Sequence, residues 1–362
     1  MPISAVDTIS LAVEHTKQQL FRPFRFSQWA KLAIVGLLAG ELGSSGGCNR
    51  SNFNLPQHTG TAHSSFPSFG GIDPALIGAV VATLVITGIA LGLIFMYISS
   101  VMRFVLFDSI IAKECRIRDG WNRRQGPGWR YFLWKLLYLF AMLGCLVVLI
   151  GIPLAFAFSM GWLQHPKENI LPLVLGGVLL FLAVIIFVVA LAVIFVFTKD
   201  FVIPQMALED IGAIEGWQRL WPMIKAEMGS YAAYIGLKIA LAIAAGIIVG
   251  IATLILGLII AIPTVGLSIL AVVTGKSAGL TWNAYTITVA IIVGSVLLTA
   301  FLYLISLISV PIIVFFPAYS IYFFAARYRP LSAVLYPLPP SSPVVPATFE
   351  PPPLPPYPEP TG

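Results

Sequence analysis

Charge is what this chain lacks. Asp, Glu, Lys and Arg make up 10% of its 362 residues, against 58% hydrophobic. A soluble domain carries about 25% charged residues, because its surface must be wetted. A chain of this length with so few cannot cover a globule with polar groups, so much of its solvent must be lipid. The net charge of +6 is therefore not read as a nucleic-acid footprint; its distribution along the chain is the informative part.

Other absences narrow the chemistry. Three cysteines, Cys48, Cys115 and Cys145, fall in separate settings with no ligand or disulfide spacing, and are expected as free thiols. Four histidines, His15, His58, His63 and His165, form no HExxH and have no carboxylate at ligand spacing, so neither metal nor cofactor is expected. His58 and His63 share one loop, which would hold a metal only weakly. No GxSxG elbow is present. Thr274-Gly275-Lys276-Ser277 has the look of a P-loop end, but Leu270 stands where the motif needs its first glycine, which excludes nucleotide binding. The first twenty residues contain no apolar core or small-residue cleavage site, so no signal peptide is expected.

What remains is long and apolar. A spanning helix needs about 20 mostly apolar residues. Charge-free intervals of that length or more run over 74–102, 136–166, 169–198, 239–275 and 277–326. Pro311 and Pro317 lie inside the last, which predicts a kinked helix ending near Tyr319 to Phe324. A weaker sixth candidate, 27–47, holds Lys31 and Glu41. Lys31 would snorkel at one end and Glu41 would sit at the opposite interface; the alternative is a helix lying in the interface.

The basic residues choose between these. If all six segments cross with the N-terminus inside, Arg50, Lys167 and Lys276 face out and the other 18 of the 21 Lys and Arg face in. That bias satisfies the positive-inside rule. The expected fold is all-α: a polytopic integral membrane bundle of about six transmembrane helices, with both termini cytoplasmic. Spans are expected near 27–47, 75–101, 134–160, 170–198, 232–261 and 285–325, within a domain covering 1–329. Residues 42–71 read as a flexible extracytoplasmic loop. Residues 330–362 hold 13 prolines and read as a disordered, polyproline-rich cytoplasmic tail.

Three segments, 11–38, 117–143 and 213–241, share an order: an amphipathic stretch, an aromatic and a Lys, then an apolar helix. They predict three tandem units of interfacial helix plus helical hairpin. The second and third agree further. Phe107-Asp108 leads to Asp119-Gly120-Trp121-Asn122-Arg123, and Lys199-Asp200-Phe201 leads to Glu215-Gly216-Trp217-Gln218-Arg219. The clusters read either as a paired cytoplasmic site or, more plainly, as interfacial anchors. Small residues four apart, at Gly36/Gly40, Gly88/Gly92 and Gly246/Gly250, read as packing points within the bundle.

The segment after the second span is polybasic. Arg116, Arg118, Arg123, Arg124 and Arg130 interleave with Trp121 and Trp129, the composition expected of a face that lies on anionic lipid. Trp217 and Arg219 form a counterpart that Glu209, Asp210, Glu215 and Glu227 should weaken. These nine residues, Arg116 to Arg130 with Trp217 and Arg219, are candidate lipid-headgroup contacts. Membrane lipids, anionic ones in particular, are the expected partners.

His15–Trp29, Arg103-Phe104 to Asp108, and Lys199-Asp200-Phe201-Val202-Ile203-Pro204-Gln205 with Ala213–Trp217 resemble a group of prokaryotic six-helix membrane proteins described as glycerophosphoryl diester phosphodiesterase membrane-domain-like. The resemblance covers most of 1–329 and implies the cytoplasmic membrane of a prokaryote. It does not imply phosphodiesterase activity: the residues after the four histidines are Thr16, Thr59, Ser64 and Pro166, so the His-Arg pair of that catalytic domain is missing. The expectation is a non-enzymatic protein in envelope or lipid homeostasis, with a permease or lipid-translocating transporter as the alternative.

Overall fold

The computed structural model describes residues 4–41, 74–164, 167–277 and 284–336. All regular structure among these residues is helical: α1 (Asp7–Phe21), α2 (Phe26–Ala39), α3 (Pro74–Ile111), α4 (Ile117–Ser159), α5 (Ile170–Phe197), α6 (Ile203–Glu209), α7 (Ala213–Ala226), α8 (Met228–Ser277), α9 (Ala284–Ala325) and α10 (Arg329–Leu335). One π-helical turn, Thr198–Val202, joins α5 to α6. Pro204 explains the widened turn, since it has no N–H to give the Asp200 carbonyl four residues back. Five helical stretches are long and apolar enough to cross a membrane.

The first candidate span is different. α2 is 14 residues long, about 21 Å at 1.5 Å per residue, short of the ~30 Å hydrocarbon core. Gly40 ends it in a left-handed cap, φ +78°, a conformation that glycine adopts without strain. Glu41, expected at an interface, is buried inside the protein at 3% exposed, and the rest of the 27–47 candidate lies outside the described residues. α2 runs antiparallel along α3, with Gln28 bonded to the Lys113 carbonyl and Arg103 bonded to the Ala39 carbonyl.

The core lies at one end of the long helices. Phe104, Tyr131, Phe201, Tyr231, Tyr234, Tyr319, Phe323 and Phe324 are buried there. Phe201 packs 5.2–5.9 Å from Tyr231, Tyr234, Phe323 and Phe324. Elsewhere the helices present apolar surface outward, and the most apolar stretch of four of the five has no buried residue. The lipid-like solvent inferred from composition would cover those faces.

The units differ in their joints. α1 and α2, like α7 and α8, are separate helices, whereas in the second unit the amphipathic stretch continues into the span as one 43-residue helix, α4. α9 is likewise one 42-residue helix through Pro311 and Pro317. Helix continues past the start of the proline-rich stretch: α10 opens at Arg329 with Pro330 in its first turn, where its fixed φ suits the helix, and Leu331 is buried. Residues 337–362 and the 42–71 loop lie outside the described residues.

Glycines mark the close approaches. A Cβ at Gly120 would lie 3.2 Å from Val105, and one at Gly216 would lie 2.7 Å from Val202. The Gly-Trp pairs of the second and third units thus seat amphipathic helices against the preceding span in the same way. Gly36 meets Ile313 at 2.6 Å, but Gly88, Gly92 and Gly250 have open space around them. The reading of those three as intramolecular packing points is therefore corrected: spacing alone places them on exposed apolar faces.

Gly128 would bring a Cβ within 2.6 Å of the Val101 side chain and 3.1 Å of its backbone, while Gly126 faces open space. Gly128→Ala should destabilise the protein by about 1–3 kcal/mol, and Gly126→Ala should stabilise it by up to about 1 kcal/mol, read from thermal unfolding in detergent. His15 is buried, its Nδ1 3.0 Å from the Tyr322 hydroxyl. Burial, then Lys113, lowers its pKa from the usual 6.5. The unfolded chain takes up this proton first, so stability falls as pH drops below about 6.5. The slope of melting temperature between pH 7 and pH 5 should be smaller in His15→Phe than in the parent.

Candidate functional site: a buried charge cluster and a basic face

Glu41 grips two cations from two different helices. Its Oε1 lies 3.0 Å from Arg103 Nη1, and its Oε2 lies 2.5 Å from Lys199 Nζ. All three side chains are under 10% exposed. Arg103 Nη2 also donates to the Ala39 carbonyl at 2.8 Å, tying the end of α2 to α3. On the neighbouring position of the π turn, Asp200 accepts from Tyr234 Oη at 2.9 Å and pairs with Lys238. Lys135 stands 4.8 Å over the Tyr131 ring and 3.4 Å from the Ser99 hydroxyl.

The cluster gathers four cations, Arg103, Lys135, Lys199 and Lys238, around two carboxylates, Glu41 and Asp200. A void of about 30 Å³ adjoins it, lined by Glu41, Arg103, Lys199 and Asp200. That is room for a water or two at a polar site, and Arg103 Nε is a buried donor with no partner among the described residues. The wider π turn lets Lys199 and Asp200 serve different partners from adjacent positions. Trp217 supports it, donating from Nε1 to Thr198 Oγ1 at 2.9 Å.

The sequence places these charges at span ends but does not reveal that they meet. The signal is in the interval edges. Arg103 closes one charge-free interval, Lys135 opens the next, Lys199 closes the third and Lys238 opens the fourth. Charges that end apolar runs share one depth, and antiparallel helices at one depth bring them together. Glu41 is the member that sequence reasoning misplaced.

The nine candidate headgroup contacts separate into two groups. Arg124 is 7% exposed and is held by both oxygens of Asp108 at 2.6 Å and by the Ala207 carbonyl. It is a structural ion pair facing the interior, which corrects its reading as a lipid contact. Arg130 pairs with Asp210, and Arg219 with Glu209 and Glu215. Trp217 is committed to Thr198, and Trp121 meets the Tyr97 ring edge-on at 6.2 Å. Arg118 and Arg123 are exposed with no ion pair among the described residues, and Arg116 is exposed beside Glu114. Trp129 is 51% exposed and stacks on Phe132. Of the basic segment, then, Arg116, Arg118, Arg123 and Trp129 remain available to a ligand.

Removing one partner of a buried pair strands a charge and costs about 3–5 kcal/mol. Glu41→Gln should lower stability by about that much. The double variant Glu41→Gln/Lys199→Gln should lose less than the sum of its singles, measured as a double-mutant cycle of thermal unfolding.

No curated protein and no solved structure matches this chain. One family model does, over residues 3–334, and the chain belongs to the family it describes, a family of unknown function (DUF7544).

Proposed function

We propose that this is a multi-pass protein of the cytoplasmic membrane that acts without catalysis, in envelope or lipid homeostasis, by contact with anionic lipid. The observation that carries the reading is the set of uncommitted cations on α4: Arg118 and Arg123, exposed with no ion pair among the described residues, beside Arg116 and the half-exposed Trp129. A basic, aromatic segment flanking apolar spans suits an anionic surface, each cation contributing about 1 kcal/mol there. The sequence holds no His-Arg pair of the kind a phosphodiesterase catalytic domain opens with, which argues against that reaction.

A second reading, a permease or lipid-translocating transporter, is favoured by the buried charge cluster, because ionisable groups beside apolar spans often mark transport paths. The two part in reconstituted vesicles. Under the first reading, the full-length protein melts at a higher temperature in phosphatidylglycerol than in phosphatidylcholine nanodiscs. Added salt shrinks the difference, and Arg118→Gln/Arg123→Gln removes most of it. Equal melting in both lipids would overturn that reading. Rapid fluorescent-lipid scrambling that is lost in Glu41→Gln protein shown to be folded would put the transporter in its place.

A further inference from the structure

α4, α5 and α7 enclose a cleft of about 640 Å³. Each helix gives it one stripe at helical spacing. α4 contributes Trp134, Leu137, Tyr138, Ala141, Met142 and Cys145; α5 contributes Phe187, Leu191 and Ile194; α7 contributes Ile214, Trp217 and Trp221. Tyr138 donates its hydroxyl to the Leu191 carbonyl at 2.8 Å, so the polar atom on the α4 wall is already satisfied.

The two ends of the cleft differ. From Trp134 to Cys145, α4 rises about 17 Å, close to half of the ~30 Å hydrocarbon core. From Leu137 to Cys145, about 12 Å, this wall falls within the charge-free interval 136–166, with Lys135 just before it, and the α5 wall lies within 169–198. The other end is roofed by amphipathic α7. There the exposed Lys225 holds its ammonium 5.3 Å above the Trp221 ring, with no ion pair among the described residues. The cleft is thus lined by apolar side chains along α4 and α5, with one exposed cation over Trp221, a ring of its α7 wall. That is the outline of an acyl chain with an anionic head.

We propose that this cleft holds an acyl chain of an anionic phospholipid, its phosphate at Lys225. The inference rests on the chain being a membrane protein and not on the basic face of α4, which lies on other residues. Filling the cleft should expel the lipid. The full-length protein, reconstituted with phosphatidylglycerol and phosphatidylcholine and then released from detergent in a native mass spectrometer, should retain one phospholipid. Ala141→Trp should retain at least tenfold less, while Val147→Trp, at an exposed position of α4 outside the cleft, retains as much as the parent. Cys145→Trp repeats the test at the far end, so that a folding failure of one variant leaves the other. Lys225→Gln should reduce phosphatidylglycerol retention severalfold and leave phosphatidylcholine unchanged. Arg118→Gln/Arg123→Gln should retain the lipid, which separates failure of this site from failure of the basic face. Equal retention by the filled variants and the parent, or a second polypeptide retained in place of lipid, would overturn the proposal. An unaltered preference in Lys225→Gln would overturn the headgroup assignment.

Discussion

The double grip of Glu41 on Arg103 and Lys199 is the constraint on which the packed end of the molecule depends. Two cations buried beside Leu106, Phe107 and Ile203 would be untenable without a counter-charge. Glu41 reaches them because α2 stops at Gly40, one residue earlier. A helix continued through Gly40 would carry the carboxylate further round and away from α3. A left-handed glycine, a short helix and an ion pair are therefore one device: the cap turns the chain, the turn delivers the acid, and the acid fixes α2 against α3 and the π turn.

The same reasoning explains the glycine-tryptophan pairs. Gly120 and Gly216 each let an amphipathic stretch press against a valine of the preceding span, Val105 and Val202. The following tryptophan then closes the contact, Trp121 on Tyr97 and Trp217 on Thr198. An interfacial anchor would ask only for a Trp at headgroup depth. The added requirement for glycine comes from backbone approach, and it makes these residues part of the core's boundary. Exposed cations on the same segment, Arg118 and Arg123, carry no such duty.

How much of this was legible follows from which forces act locally. Helix type and the five long apolar stretches are written in the charge-free intervals, because lipid imposes its demand residue by residue. The meeting of Glu41, Arg103 and Lys199 was not legible there, since it depends on where α2 stops and on how α2 lies against α3. Arg124 shows the limit from the other side. Among five arginines in one basic segment it alone is buried, and composition cannot single out the arginine that faces Asp108 and the Ala207 carbonyl. Pro330 misled for a local reason: in a proline-rich stretch it reads as disorder, yet in the first turn of α10 its fixed φ fits the helix.

The cluster also binds the three units into one body. Glu41 and Arg103 come from the first unit, Lys135, Lys199 and Asp200 from the second, and Lys238 with Tyr234 from the third. The units are not balanced alone: the second would hold Lys135 and Lys199 against the single carboxylate of Asp200, and the third would hold Lys238 without the Asp200 it pairs with. A repeat protein built only of apolar nearest-neighbour contacts could shed or add a unit with little penalty. Here the charge balance forbids it. The ionic centre thus sets the register of the three units, a use of buried charge that apolar packing, which is tolerant of sliding, does not supply.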